Sequence, residues 1–215
     1  MKKALSYLYP FTRKVPSTYN GELEISLYQG RKVLDSRTAN YSYGSLQRVL
    51  RFGLQQISLG GCRRVLLLGL GGGSVIQTLR EDFDYQYHIT AVDFDPVVIE
   101  LAAQEFGIAP GPRLQIVCAD AFAYVQDAHP PFDLVLVDLF VDSAIQEGVF
   151  APAFWQNVFR LVRPGGHVLL NTLQAAVPAG ALQQLQNAVQ ALGGTVRLFP
   201  KVEKLNLLVL VQKPA

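Results

Sequence analysis

The sequence predicts a doubly wound α/β fold. It comprises a seven-stranded, mostly parallel sheet with a terminal antiparallel hairpin strand, preceded by a small N-terminal β-hairpin region. Three observations carry this expectation. From Arg63 onward, apolar runs of strand length alternate with helix-length segments, the pattern of a parallel sheet covered on both faces. The first of those runs passes straight into a glycine cluster, "GLGGGS", and then into a helical segment. The last two runs, "TVRLFP" and "NLLVLVQKP", follow each other with no helix between them. A parallel crossover needs about a dozen connecting residues, so these two form a hairpin.

Taken in order, residues 20–37 read as two short strands around Gln29-Gly30. In "SLQRVLRFGLQQIS", Leu46, Val49, Leu50 and Leu54 fall at helical spacing. A boundary is expected near "SLGGC". It divides an N-terminal hairpin and helix (residues 1–58) from the doubly wound domain (59–215). Beyond it, "RVLLLGL", "HITAVDF", "LQIVCAD", "FDLVLVDLF" and "HVLLNTL" are strands. "VIQTLREDF" and "DPVVIELAAQEFGI" are helices, the second with Asp95 as N-cap and Pro96 at its first position. "APAFWQNVFRLVRPGG" is a helix closed by Pro164-Gly165-Gly166, and "AGALQQLQNAVQALGG" one ended by Gly193-Gly194.

Composition narrows the function classes. Half of the 215 residues are apolar, 17% are charged and the formal net charge is +2. Nothing in that balance argues for a nucleic-acid or membrane surface. Residues 1–16 begin with two lysines but are interrupted by Pro10 and Arg13, unlike a signal peptide. No apolar run approaches the roughly 18 residues of a membrane span. Cys62 and Cys118, the only cysteines, are expected to be free. A cytoplasmic protein is expected.

The glycine loop is the first candidate site. A strand that turns sharply into a helix needs positive φ, or backbone with no Cβ in a ligand's way. Gly69-Leu70-Gly71-Gly72-Gly73 gives G-x-G-x-G. The dinucleotide fingerprint requires Gly or Ala where this chain has Ser74, and a Walker loop would continue as G-K-[ST]. Asp93 ends the second strand, 20 positions after Gly73, where a carboxylate can accept from ribose hydroxyls. Asp120 ends the third strand, with a helix-cap role as its competing reading. Asp138 ends the fourth, after a buried apolar run. Carboxylates at successive strand C-termini point into the crevice where open α/β sheets bind ligands. Asp133 lies at the opposite edge and reads as structural. His88, His129 and His167 have no partner at metal-ligand spacing, so no metal site is expected.

These motifs in succession resemble the class I S-adenosylmethionine-dependent methyltransferase fold. Within it they resemble the polyamine aminopropyltransferases, the spermidine synthase group. "GLGGGS", the acidic pair in "DFD", "DA" at Asp120-Ala121 and "FDLVLVD" occupy that family's motif positions in order. The resemblance implies a nucleoside site at Gly69, Leu70, Gly71, Gly73, Asp93, Phe94, Asp120 and Ala121. Asp93 would hold the ribose and Asp120 the adenine amino group. Asp138 would orient and deprotonate the attacking amine, with Tyr43 and Asp142 lining the acceptor pocket. The implied co-substrate is S-adenosylmethionine or its decarboxylated form, without a metal. The implied acceptor is a small molecule, and related synthases pair through their N-terminal region, implying a homodimer. The sequence also departs from the family pattern. Gly72 stands where family loops hold an Asp. "DLFVD" replaces D-S-S-D-P, "STYN" replaces S-x-Y-Q, and Tyr43 lacks its flanking His and Glu. A polyamine needs several acids, and about half are missing. Two alternatives to a transferase are a non-catalytic nucleoside-binding relative acting through a partner and a nicotinamide-dependent oxidoreductase. Ser74 and the terminal hairpin count against the second.

Overall fold

The computed structural model describes residues 2–36, 45–127, 131–141 and 144–215. A short helix α1 (Lys2–Leu5) precedes three antiparallel strands, β1 (Phe11–Ser17), β2 (Gly21–Tyr28) and β3 (Arg31–Ser36), paired in that order. The predicted hairpin is β2–β3. Its turn residues Gln29 and Gly30 both have positive φ (49° and 75°), the geometry of a two-residue turn whose twist matches the strands. The backbone N–H groups of Gln29 and Gly30 donate to the carbonyl and hydroxyl of Ser6. Strand β1 was not anticipated. It is an edge strand with mostly exposed residues and Pro16 near its end, so it carries little two-residue alternation.

The main sheet is built from β4 (Arg64–Leu68), β5 (His88–Asp93), β6 (Leu114–Cys118), β7 (Phe132–Val137), β10 (Val162–Leu173), β11 (Thr195–Val202) and β12 (Asn206–Gln212). Between β7 and β10 lie the two-residue strands β8 (Phe140–Val141) and β9 (Ala144–Ile145). The strand order is β11-β12-β10-β7-β4-β5-β6, parallel except for β12. The predicted hairpin is therefore present, with its returning strand placed inside the sheet. Residues 206–211 are all buried, whereas β11 alternates with exposed positions, so the more apolar strand takes the interior place.

Helices cover both faces. On one, α5 (Ala121–Gln126), α6 (Pro152–Leu161) and α7 (Ala181–Ala191) bury Val125, Phe154, Trp155, Val158, Leu185 and Val189. On the other, α2 (Ser45–Leu54) and α3 (Ser74–Asp82) bury Val49, Leu50, Leu54, Val75, Ile76 and Leu79. Helix α5 was missed because six residues are too few to show a period. Helix α6 stops at Leu161, earlier than predicted. Val162 already pairs with Phe132, and the register shifts before His167, so the Pro-Gly-Gly stretch is a bulge in β10. Cys62 is buried, Cys118 is exposed, and both are free.

Helix α4 (Pro96–Phe106) joins the two sheets. Its Ala102 belongs to the core of the main sheet. Val98 and Leu101 pack on Leu23, Ile25 and Leu34 of the N-terminal sheet. Glu105 pairs with Arg13 and Lys32 at 2.8 Å each. The polar centre of this joint is Asp95, fully buried. Its Oδ1 accepts from Val97 N–H at 2.9 Å, capping α4 as predicted, while Oδ2 accepts from Ser17 Oγ and from Asn20 Nδ2 at 2.6 Å.

Asp95→Ala removes the helix cap and two buried contacts to a charged acceptor. It should destabilise the protein by about 2–4 kcal/mol, read as a lower urea midpoint. Amide exchange should rise most in β1–β3. An unchanged midpoint would show that the apolar contacts alone hold the joint.

Candidate active site

Strand order reverses at β4, whose neighbours β5 and β7 lead the chain in opposite directions, and the crevice opens at their C-terminal ends. Its walls are Asn20, Leu46, Gly69, Gly71, Val92, Asp93, Phe94, Ala119, Ala121, Asp138, Leu139, Phe140 and Gln146. The alternate glycines of the loop, Gly69, Gly71 and Gly73, all have positive φ (92°, 51° and 75°), which accounts for the G-x-G-x-G spacing. Two also lack room for a side chain. A Cβ on Gly69 would lie 2.2 Å from the carbonyl oxygen of Asp138, and one on Gly73 2.6 Å from Ile108 Cγ1.

Asp93 reaches the crevice as predicted, and the structure adds a role the sequence did not show. Its Oδ2 accepts from Leu70 N–H at 3.0 Å and Gly71 N–H at 3.3 Å, and its Oδ1 from Asp95 N–H at 3.0 Å. The carboxylate therefore braces the glycine loop from below. Burial pushes it up to about 6, against the opposing effect of those three donors. Phe94 lines the crevice and meets Tyr19 edge-on at 5.1 Å.

Asp120 caps α5 through Ala123 N–H at 2.8 Å. The cap role weighed from sequence is thus real. Oδ2 carries no hydrogen bond among the described residues, and the neighbouring wall of the crevice is Ala119 and Ala121. Asp133 is structural at the opposite edge, accepting from Arg63 and Arg64 N–H at 2.9 Å each.

Asp138 follows β7, with its N–H bound to Leu68 O at 2.9 Å. Its Oδ1 accepts from Asn171 Nδ2 at 2.8 Å, and Asn171 Oδ1 accepts from Asn206 Nδ2 at 2.9 Å. Burial pushes its carboxyl up to about 6, with the Asn171 bond opposing. Both asparagines escaped sequence reasoning. The available signal was an amide following the apolar run of "HVLLNTL" and another opening "NLLVLVQKP". Tyr43, Asp142 and His129 lie outside the described residues. Among the described residues no cluster of His, Cys, Asp and Glu is placed to hold a metal, and no helix is long and apolar enough to cross a membrane.

Comparison with known proteins bears on this crevice. Residues 52–202 match the spermine/spermidine synthase domain. A polyamine aminopropyltransferase of Vibrio vulnificus is 30% identical over 116 residues, covering 53% of this chain and 38% of that protein. The chain thus spans well under half of that relative's length. Among solved structures, human methyltransferase-like protein 13 in complex with SAH superposes with a TM-score of 0.65 at 21% identity, covering 80% of this chain and 83% of that one. Spermidine synthase from Thermotoga maritima gives 0.65 at 18%, covering 94% and 72%. The two structural likenesses are of fold, and they agree with the sheet described above.

The half-buried charge at Asp138 has a consequence for stability. Its carboxyl moves from an ordinary 3.8 to about 6 on folding. Between those values the folded state holds a proton that the unfolded state has lost. Stability from this group therefore falls as pH rises from about 4 to 6 and stays lower above. Asp138→Asn keeps an acceptor for Asn171 and removes the charge. It should stabilise the protein by about 1–2 kcal/mol at pH 7.5 and by nothing at pH 4. Thermal unfolding at the two pH values reads this. Equal effects at both would mean that the carboxyl titrates normally.

Proposed function

Because the chain belongs to the spermine/spermidine synthase family, we propose that its crevice binds S-adenosylmethionine or decarboxylated S-adenosylmethionine and transfers a methyl or aminopropyl group to a small amine. The observation that carries this reading is the Asp138 carboxylate. It lines the same crevice as the glycine loop and Asp93, with one oxygen held by Asn171 and no partner on the other among the described residues. A module that only bound a nucleoside would have no use for a half-buried acid there.

The residues present suit such a co-substrate. Gly69 and Gly71 present backbone without side chains, and Phe94 and Ala121 supply apolar walls. Asp93 keeps acceptor capacity on Oδ1 for ribose hydroxyls, and Asp120 keeps Oδ2 for an exocyclic amino group. When bound, the sulfonium supplies an electrophilic carbon and a neutral thioether leaving group. Asp138 attracts the ammonium form of the acceptor, takes its proton and points the nitrogen lone pair, which is positioning plus general-base work. With a carboxyl near 6, Asp138 is ionised at neutral pH, so kcat/KM should fall below about pH 6.

We also propose a homodimer formed through the N-terminal sheet. Strand β1 is an edge; Tyr7, Leu8 and Tyr9 just before it and Phe11 at its start are 64%, 73%, 74% and 40% exposed. Clustered exposed apolar residues mark interaction surfaces. Light scattering at micromolar concentration should give twice the chain mass; a monomer mass would refute the pairing.

Transfer itself is tested by two variants. Asp93→Ala should weaken S-adenosylmethionine binding in calorimetry through both the lost ribose acceptor and the unbraced loop. Asp138→Asn should bind it as wild type does and lose about 10²–10⁴ in transfer rate. Among the described lining residues only Asp93 and Asp138 are charged, so putrescine should be a poor acceptor. Full activity of Asp138→Asn toward any amine would remove the assignment.

A further inference from the structure

Asn171 and Asn206 are fully buried and 9% exposed respectively. They stand in apolar surroundings: Asn171 is paired with Leu208 across the sheet, and Asn206 with Leu173. Burying a primary amide is unfavourable unless its groups are bonded, and leucine would fill either position at no such cost. Their placement therefore points to what they bind. We propose that Asn206 and Asn171 form a two-step amide relay that fixes the Asp138 carboxylate with one oxygen occupied and the other free, making both asparagines positioning residues for the transfer. The role of Asp138 in that statement rests on the proposed function; the relay itself does not.

The direction of the relay follows from charge. An ionised carboxylate only accepts hydrogen bonds, so Asn171 must turn its NH₂ group to Asp138. Its carbonyl then faces away, inside the sheet, and needs a donor. Asn206 Nδ2 supplies it at 2.9 Å. Asn206 does not line the crevice, so it acts only through Asn171. Without that donor, the buried Asn171 carbonyl is unsatisfied. Turning the amide over would present the carbonyl to Asp138, an arrangement that suits only a protonated carboxyl. Asp93, across the crevice on β5, is the other titratable group among the described lining residues. The two acids enter from different strands, and the relay touches only Asp138.

The test reads the Asp138 carboxyl directly in the ligand-free protein, by isotope-edited infrared titration with Asp138→Asn as the blank. Asn206→Leu and Asn171→Leu are close in shape to asparagine. Each should raise the titration midpoint by about one pH unit, a tenfold gain in proton affinity. Asn206→Gln, which keeps an amide donor, should stay near wild type. In an active preparation the acid limb of the kcat/KM profile should move by the same amount. An unshifted carboxyl in Asn206→Leu would overturn the relay, as would an equal shift in Asn206→Gln. Should the leucine variants not fold, the side-chain amide resonances of the unmodified protein decide. Those of both asparagines should move with the Asp138 midpoint, and a stationary Asn206 would overturn the proposal. Because the titration needs no substrate, a failure of the transferase reading leaves this result standing.

Discussion

Everything at the crevice depends on how closely two strand ends approach. Asp138 N–H binds the carbonyl of Leu68, and the Asp138 carbonyl lies 2.2 Å from where a Gly69 Cβ would stand. Only a residue without a side chain lets β4 leave the sheet there. The contact brings the glycine loop and the Asp138 carboxylate into one wall, and it does so at the point where strand order reverses. Open α/β sheets bind ligands at such points because the loops above the two strands diverge. A larger residue at position 69 would disturb the glycine loop and the proposed base together.

Two carboxylates stand in this wall, Asp93 buried and Asp138 half-buried, and each opposes folding while ionised. Asp93 is raised to about 6 despite three backbone donors, and Asp138 to about 6 with one amide donor. The difference in donors matches the difference in position. Asp93 must hold a loop, so most of its acceptor capacity is directed inward. Among the described residues Asp138 is bound through one oxygen only, Oδ1 to Asn171. A fold optimised for stability alone would neutralise Asp138, which is the usual opposition between a poised site and a stable one.

Much of the fold was legible in the sequence, because long apolar strands and capped helices announce themselves. The glycine spacing and the aspartates at two strand ends, Asp93 and Asp138, located the crevice. The hairpin at the chain's end followed from connection length. What escaped detection was short or non-local. Strand β1 has one weakly buried face, and α5 is six residues long. Asp93 was read for what it offers a ligand, and its grip on Leu70 and Gly71 is a contact over more than 20 residues of chain. Asn171 and Asn206 are 35 residues apart, and only the antiparallel insertion of β12 beside β10 makes them neighbours. Asp120 shows the converse case: the local reading, a helix cap, was open from sequence and is realised.

The acidic pair also joins the crevice to the N-terminal sheet. Asp93 and Asp95 are two residues apart and take opposite directions. The first holds the glycine loop. The second holds Ser17 and Asn20 beneath the N-terminal strands. Asp95 N–H donates to Asp93 Oδ1, so one short segment carries both sets of bonds. Phe94, between them, packs its ring against Tyr19, and Asn20 itself lines the crevice. A change in how the N-terminal sheet sits on α4 must therefore pass into the wall of the crevice, since no compliant loop separates them. In this architecture the small sheet is part of the site's frame, and the residues joining it to the larger domain are the ones that shape the Asp93 end of the crevice.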